Sequence, residues 1–168
     1  MLLARLRTLF LPACLAALAV LAASFQLDNM LGLVPCPLRL SQRLLLALYA
    51  LLSLASVLQA PRARGLRRYA WATLACSLGG AALAARQVWL QGAERVVDAC
   101  PLPIGRVFEQ GWVEAARQLL FGGPECSALS WSFLDLTLPE WSLLAFLLLA
   151  ALPASCLLAY RFRTLAGA

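Results

Sequence analysis

Residues 141–160 read WSLLAFLLLAALPASCLLAY, and none of these twenty side chains carries a charge. A transmembrane helix needs about 20 predominantly apolar residues to cross a hydrocarbon core of ~30 Å. Three further runs are similar, at 9–25, 44–60 and 69–85. Inside a bilayer a helix satisfies all of its backbone hydrogen-bonding groups within one segment. The sequence therefore predicts an all-α membrane protein, a bundle of four transmembrane helices.

The composition of the whole chain points the same way. Its 168 residues are 62% hydrophobic and 13% charged, whereas soluble domains average about 45–50% apolar and about 25% charged residues. We predict one membrane domain over residues 1–168. The first run could instead be a secretory signal, because Arg5 and Arg7 precede it and Ala22-Ala23-Ser24 resembles a cleavage site. It is, however, longer than the usual h-region of about 7–15 residues.

The arginines predict the orientation, and all 14 basic residues are arginines. Eight of them lie at the two termini and between runs two and three, with no acidic residue among them: Arg5, Arg7, Arg62, Arg64, Arg67, Arg68, Arg161 and Arg163. By the positive-inside rule, both termini and the 61–68 connection are cytoplasmic. The net charge of +6 thus reflects topology. Nucleic-acid binding would require basic residues clustered on a soluble face.

Two loops are predicted on the opposite side, at about 26–43 and 86–140. The second is broken by prolines and glycines and shows no strand-like alternation. Apolar residues between positions 107 and 121 form an incomplete helical stripe, which predicts a short surface helix. This helix could lie on the membrane surface or pack against the top of the bundle.

The six cysteines divide equally between spans and loops. The three inside predicted spans, at positions 14, 76 and 156, are expected to act as small hydrophobic side chains. Cys36, Cys100 and Cys126 lie in the outward loops, where thiols in an oxidising compartment tend to pair. Since three is an odd number, one thiol is left as a reactive group or a mixed-disulfide partner. A bridge from Cys100 to Cys126 could be structural or exchangeable.

Cys36 has two prolines beside it and two arginines after it. Pro35 and Pro37 hold the thiol outside a helix, and positive charge at Arg39 and Arg43 would favour the thiolate. Alternatively, these arginines bind lipid headgroups or mark the membrane interface.

Several motifs together resemble the bacterial disulfide bond formation protein B (DsbB) family. They are Pro35-Cys36-Pro37-Leu38, Gln42-Arg43, Arg86-Gln87-Val88-Trp89-Leu90-Gln91, Cys100-Pro101, Gly123-Pro124-Glu125-Cys126, Trp131-Ser132-Phe133-Leu134-Asp135 and Leu138-Pro139-Glu140-Trp141. The resemblance covers nearly the whole chain. It implies a multi-pass thiol oxidase of the bacterial inner membrane that reoxidises a DsbA-like periplasmic dithiol oxidase. The electrons would pass to ubiquinone or menaquinone.

The resemblance also implies roles for individual residues. Cys100 would form the mixed disulfide with the partner, and Cys126 would be its bridge partner in the resting protein, with Cys36 outside that bridge. Cys36 corresponds to the first cysteine of a Cys-x-x-Cys pair, and Arg43 to an arginine that assists at the quinone.

Position 39 departs from the family pattern, because an arginine stands where the second cysteine of that pair is expected. Three accounts are open. The chain is a catalytically impaired or specialised homologue, Cys36 itself reacts with quinone, or Arg39 is a lesion in an otherwise ordinary oxidase.

Other classes fit the sequence less well. A four-span scaffold with a structural loop disulfide is the alternative to an enzyme. A transporter would place ionisable groups inside its spans, and the predicted spans have none. The chain contains no histidine, and its loop cysteines lack zinc-site spacing. We interpret Gly79-Gly80 as a close contact between helices.

Overall fold

The computed structural model describes residues 10–32, 36–59, 63–92, 111–122, 132–133 and 135–166. Within these residues it contains five helices and one hairpin: α1 (Phe10–Leu31), α2 (Pro37–Leu58), α3 (Ala63–Gly92), α4 (Trp112–Phe121), β1 (Ser132–Phe133), β2 (Leu136–Thr137) and α5 (Leu138–Ala166). The four long helices form a bundle. Helix α2 contacts α1 and α3, while α5 contacts α3 and, less extensively, α1.

Three of the described helices are long and apolar enough to cross a membrane, at Phe10–Met30, Pro37–Leu58 and Leu138–Ala159. Helix α3, which contains the predicted span 69–85, is not among the three. Leu51, Leu58 and Leu148 are examples of large apolar side chains that stay exposed on the outside of the bundle. Lipid is the solvent in which such a surface is stable. The chain is an all-α membrane protein.

Small side chains line the centre of the bundle and let the helices approach closely. Ala17 and Ala84 are completely buried there, beside Tyr49 and Phe146. Helix α3 meets α5 at Gly80, where an added Cβ would overlap the ring of Phe146. The prediction of a close helix contact at the glycine pair is therefore confirmed at Gly80. The nearest atom to a Cβ on Gly79 would be Leu45 Cδ1, at an ordinary 3.7 Å.

The stretch predicted as the first loop, 26–43, is mostly helical, which corrects our boundaries. Helix α1 continues to Leu31, and α2 already begins at Pro37. Hydropathy marks where a run of apolar residues ends, whereas a helix can continue through polar residues whose side chains find partners. Asp28 is such a residue, because it is buried and paired with two arginines.

A short antiparallel hairpin of β1 and β2 precedes α5, in a loop whose sequence shows no strand-like alternation. Ser132 pairs with Thr137 and Phe133 with Leu136. Asp135 in the connecting turn has a φ of 60°, a left-handed conformation that Asp tolerates. Strands of two residues are too short to show alternation in a sequence.

The hairpin leads into one half of a capping box, at the start of α5. Glu140 accepts hydrogen bonds from Thr137 N at 2.6 Å and from Thr137 Oγ1 at 2.9 Å. The Glu side chain thereby satisfies a backbone N–H at the helix start that has no partner within the helix.

Helix α4 lies within the stretch for which a short helix was predicted, and it packs against the start of α2. Ser41 Oγ donates a hydrogen bond to Leu119 O at 2.7 Å, and Ala115 is buried. At the end of α4, an added Cβ on Gly122 would overlap Leu38. Several apolar side chains of α4 remain exposed, with Trp112 84% accessible.

Candidate functional site

Cys36 occupies the N-cap position of α2. Its backbone is extended, with φ −72° and ψ 155°, because a residue before proline is disfavoured in the helical region. Pro37 then takes the first helical position, where its missing N–H costs nothing. The Cys36 carbonyl accepts from Arg39 N at 3.0 Å and Leu40 N at 3.2 Å. The two prolines were predicted to hold this thiol outside a helix, and the extended N-cap agrees.

Both arginines that follow Cys36 bind one carboxylate, Asp28 of α1. Arg39 Nη1 lies 2.8 Å from Asp28 Oδ1, and Arg43 Nη2 lies 2.5 Å from Asp28 Oδ2. Residues four apart project from the same face of a helix, so Arg39 and Arg43 reach Asp28 together. All three side chains are largely buried, at 14%, 8% and 9% exposure for Arg39, Arg43 and Asp28. The cluster carries one net positive charge.

Arg43 is held by more contacts than this ion pair. Its Nε donates to Ser24 Oγ and its Nη2 to Ser24 O, both at 2.6 Å. Its guanidinium carbon lies 4.3 Å from the centroid of the Phe25 ring, within cation–π range. Ser24 and Asp28 lie one helical turn apart on α1, so α1 fixes the orientation of the guanidinium.

A cavity of about 410 Å³ opens between α1, α2 and α5 beside these charges. Its walls are largely apolar, and its polar side chains come mainly from the neighbourhood of the charge cluster. The lining residues are Val20, Ala23, Ser24, Leu27, Asp28, Arg39, Gln42, Arg43, Leu46, Leu138, Trp141, Ser142, Ala145 and Phe146. Apolar walls with a few convergent polar groups are typical of small-molecule sites.

Two glutamine side chains connect α2 to α3 and reach the Cys36 sulfur. Gln42 Nε2 donates to Gln87 Oε1 at 2.9 Å, and Gln87 Nε2 donates to Cys36 Sγ at 3.8 Å. Both glutamines are only 3% exposed. The same Gln42 lines the cavity, so two hydrogen bonds connect the thiol to the cavity wall.

Two of the four predicted site residues, Cys36 and Arg43, are among the described residues. Cys36 and Arg43 lie at the same end of α2, two turns apart. Cys100 and Cys126 lie outside the described residues, so their bridge stays a prediction. Cys14, Cys76 and Cys156 are buried free thiols, as expected for structural cysteines. Among the described residues, no group of three His, Cys, Asp or Glu side chains is placed to hold a metal ion.

The sequence did not identify Asp28, Ser24 or Gln87 as site residues. In the structure Asp28 and Ser24 contact Arg43, and Gln87 contacts Cys36. The available signal was spacing. Ser24 and Asp28 are four residues apart, as are Arg39 and Arg43, which predicts two matching polar pairs once both segments are known to be helical. The early end predicted for the first span, at Phe25, hid that match.

Comparisons with known proteins agree with this architecture. The family model described as "Disulfide bond formation protein DsbB" matches residues 6–156. Disulfide bond formation protein B 2 of Pseudomonas putida is 76% identical over 166 residues, covering 99% of each chain. Its namesake from Pseudomonas entomophila is 59% identical and covers 96% of each chain. Disulfide bond formation protein B 1 of Pseudomonas aeruginosa is 41% identical, over 83% of this chain and 87% of its own. The chain belongs to the DsbB family of disulfide bond formation proteins, membrane-embedded oxidoreductases.

Proposed function

We propose that this protein reoxidises a DsbA-like periplasmic dithiol oxidase and passes the electrons to quinone. The observation that supports this most directly is a hydrogen-bonded connection between Cys36 and the cavity wall. Gln87 contacts the Cys36 sulfur, and its partner Gln42 lines the cavity next to Arg43. Two hydrogen bonds therefore connect the thiol to an apolar cavity that has a fixed cation in its wall.

The cavity fits ubiquinone or menaquinone by its chemistry. An isoprenoid quinone has an apolar body and a ring with two carbonyl acceptors, and the cavity has apolar walls with guanidinium donors at one end. Arg43 is buried and fixed by Ser24 and Asp28, so it presents a preorganised positive charge to a ring oxygen. When bound, the quinone supplies a two-electron acceptor. The residues of the chain supply the site, the charge and the neighbouring thiol.

Cys100 and Cys126 are the residues proposed to meet the partner. A partner thiolate attacks Cys100 Sγ, the Cys100–Cys126 bond breaks, and Cys126 leaves as a thiolate. The second partner thiolate then attacks the mixed disulfide, so the partner leaves oxidised and Cys100 is reduced. Two electrons remain on the pair Cys100 and Cys126, and these must be removed before another turnover.

Chain length allows Cys126 to reach Cys36. Gly122 packs directly against Leu38, two residues after Cys36. An extended chain spans at most ~3.6 Å per residue, so Cys126 lies within about 14 Å of Gly122. The docking of α4 on α2 thus supports the proposed transfer between the two loops.

Arg39 limits this transfer, because exchange between loops requires a disulfide in loop one that a lone Cys36 cannot form. The thiol of Cys36 and the thiols left after partner oxidation are all reduced, so joining two of them releases two electrons and two protons. Quinone has to accept these directly. We therefore expect the exchange with the partner to proceed and the steady turnover to be slow.

The experiment is reduction of ubiquinone by the purified protein with excess reduced DsbA-like partner. We expect Arg39→Cys to raise the rate by at least about tenfold, because it restores the exchangeable loop-one disulfide. Arg39→Ser is the matched control, since it removes the arginine without adding a thiol, and should give no such gain. Equal rates for the native protein and Arg39→Cys would refute the importance of the missing cysteine.

A separate measurement distinguishes this oxidase from a scaffold with a structural disulfide. Substoichiometric reduced partner should convert Cys100 and Cys126 to thiols, detected by alkylation and peptide mapping. A bridge that resists the partner would favour the scaffold.

The four-span arrangement belongs to the same proposal. Helix α3 has 30 residues, and its uncharged stretch at 69–85 is bounded directly by Arg68 and Arg86, which lower the mean hydropathy of any longer segment. Trp71 and Trp89 are both exposed and are separated along the helix by about 27 Å, at 1.5 Å per residue. Interfacial tryptophans at that spacing match the hydrocarbon thickness of ~30 Å. We place α3 across the inner membrane of a bacterium, with both termini cytoplasmic.

Helix α4 then lies in the periplasmic loop at the membrane surface. One side of it packs on α2 through Ala115 and Leu119. The exposed side includes Trp112, Val113 and Phe121, residues suited to the headgroup region of the lipid. Both arrangements left open by the sequence, packing on the bundle and contact with membrane lipid, are thus combined.

A further inference from the structure

The amide groups of Gln42 and Gln87 form a chain of two hydrogen bonds that ends on the Cys36 sulfur. The first bond runs from Gln42 Nε2 to Gln87 Oε1, and the second from Gln87 Nε2 to Cys36 Sγ. Gln42 lies on α2, Gln87 on α3 and Cys36 at the N-cap of α2. Gln87 of α3 therefore binds the sulfur at the start of α2, and Gln42 of α2 in turn binds Gln87.

The direction of these bonds is chemically significant. A glutamine amide has one end that only accepts and one that only donates. Because Gln42 donates to the oxygen of Gln87, the Gln87 NH₂ group is the end that faces Cys36. A thiolate accepts such a hydrogen bond strongly, whereas a neutral thiol sulfur is a weak acceptor. The arrangement favours the ionised form of Cys36.

Burial makes this preference effective. Both amides are 3% exposed, so water does not compete freely for their donors, and a hydrogen bond to a charged group is stronger in such surroundings. Reversing the Gln87 amide alone would set its oxygen against the sulfur and leave Gln42 Nε2 without its acceptor. The orientation of the Gln87 amide is therefore coupled to that of Gln42.

We propose that Gln87, oriented by Gln42, is a positioning residue that stabilises the Cys36 thiolate and aims it between α2 and α3. This assignment rests on the proposed role of Cys36 as the loop-one thiol. In a chain that lacks the second loop-one cysteine, Gln87 would keep the one remaining loop-one sulfur in its reactive thiolate form.

Charged residues also lie on the elements around Cys36. Helix α1 contributes Asp28, α2 contributes Arg39 and Arg43, α3 contributes Arg86, and α4 contributes Arg117. Asp28 pairs with both Arg39 and Arg43, which neutralises part of their charge, and Arg86 and Arg117 are exposed. The Gln87 amide is an uncharged donor in direct contact with the sulfur. Its stabilisation of the thiolate is therefore separate from any effect of these charges.

The test is the rate of Cys36 alkylation by iodoacetamide as a function of pH, measured on the full chain in detergent by peptide mapping. Gln87→Glu replaces the donor with a carboxylate and should raise the midpoint pH of alkylation by about one to two units, given the strength of charge-assisted hydrogen bonds. Gln87→Ala should raise it in the same direction.

Gln42→Glu is the more discriminating variant, because it leaves the residue beside the sulfur unchanged. A carboxylate at position 42 accepts but does not donate, so Gln87 turns its NH₂ group toward α2 and its oxygen toward Cys36. The midpoint pH should rise as it does for Gln87→Glu. Gln59→Glu adds the same charge at the far end of α2, where residue 59 accepts from Tyr69 Oη at 2.6 Å, and should leave the midpoint unchanged.

A midpoint pH that is unchanged in both Gln87→Glu and Gln42→Glu would overturn the proposal. A rise in Gln87→Glu alone would overturn the orienting role of Gln42. Alkylation is measured without partner or quinone, so failure of the proposed oxidase activity would leave these results interpretable. If the alkylation results contradict the role of Gln42 and Gln87, the quinone reduction assay still tests the proposed oxidase activity.

Discussion

Asp28 is one carboxylate shared by two guanidinium groups, and the charges of this cluster sum to plus one. Its neighbours Arg39 and Arg43 are each more than four-fifths buried. Leaving a buried charge without its partner is costly, because the interior does not replace water around the ion. With a cysteine at position 39, Asp28 would pair with Arg43 alone. The arginine at position 39 is thus accommodated by a carboxylate that also binds Arg43.

We predict that Asp28→Asn lowers the free energy of unfolding by about 3 kcal/mol, near the lower end of measured costs for breaking buried pairs. The change keeps the shape of the side chain and leaves two arginines facing each other. Reversible unfolding in mixed detergent micelles measures it. Asp135→Asn, at the exposed hairpin turn, is the matched control and should unfold like the native protein.

Making Asp28→Asn in the Arg39→Cys background distinguishes the contributions of Arg39 and Arg43 to the free energy of unfolding. Asp28→Asn should cost less in that background, because only Arg43 then loses its partner. Equal costs in both backgrounds would show that Arg39 gains nothing from Asp28.

The sequence predicted part of this site and could not predict the rest. It identified Cys36 and Arg43 because a proline-flanked cysteine and a nearby arginine are visible as a local pattern. Asp28 and Gln87 depend on distant contacts, eleven residues from Arg39 and fifty-one from Cys36. Such pairs form only after α1, α2 and α3 have packed. Spacing within one helix shows which side chains share a face, but it does not show which helix that face meets.

At the scale of elements, α3 and α5 approach each other closely at one glycine. Gly80 faces the ring of Phe146, which is 1% exposed. An added methyl group there forces one helix away from the other, because interiors are close-packed and leave no room to absorb it. Gly79, the preceding residue in the helix, has space for that methyl group.

We predict that Gly80→Ala destabilises the bundle by about 1–3 kcal/mol, the range typical of overpacking. Gly79→Ala should be neutral or slightly stabilising, since alanine has a better helix propensity by ~1 kcal/mol. Thermal unfolding of both variants in detergent gives the comparison. A result in which the two variants unfold at the same temperature would exclude the close contact as a source of stability.

The helices were largely predictable from hydropathy, but their ends were not. Each of α1, α2, α3 and α5 contains most of a predicted span and extends beyond it at one end or both. Caps such as the Thr137 and Glu140 pair and polar partners such as Asp28 determine where a helix ends. These interactions are set by side chains outside the apolar run, so a hydropathy profile does not detect them.

At the scale of the whole molecule, the arginines divide the protein into two electrostatically different ends. Arg64, Arg67 and Arg68 are exposed at the beginning of α3, close to the end of α2. Arg39 and Arg43, at the other end of α2, are buried against Asp28. Exposed arginines near span ends favour the cytoplasmic side. The two ends of α2 thus differ in whether the nearby arginines are exposed or buried.

We therefore predict that a reporter fused after Ala168 or inserted within 62–68 reads cytoplasmic, and that one inserted within 93–110 reads periplasmic. This pattern requires α3 to cross the membrane, although three other helices have the higher hydropathy. The decisive control replaces Arg64, Arg67 and Arg68 together with Asn, which removes the exposed charge and leaves the buried cluster intact. Periplasmic signal at residues 62–68 should then appear, because charge near the span ends sets the orientation. A periplasmic reading after Ala168 in the native sequence would rule out four spans, since an odd number of crossings would then separate the C-terminus from a cytoplasmic N-terminus.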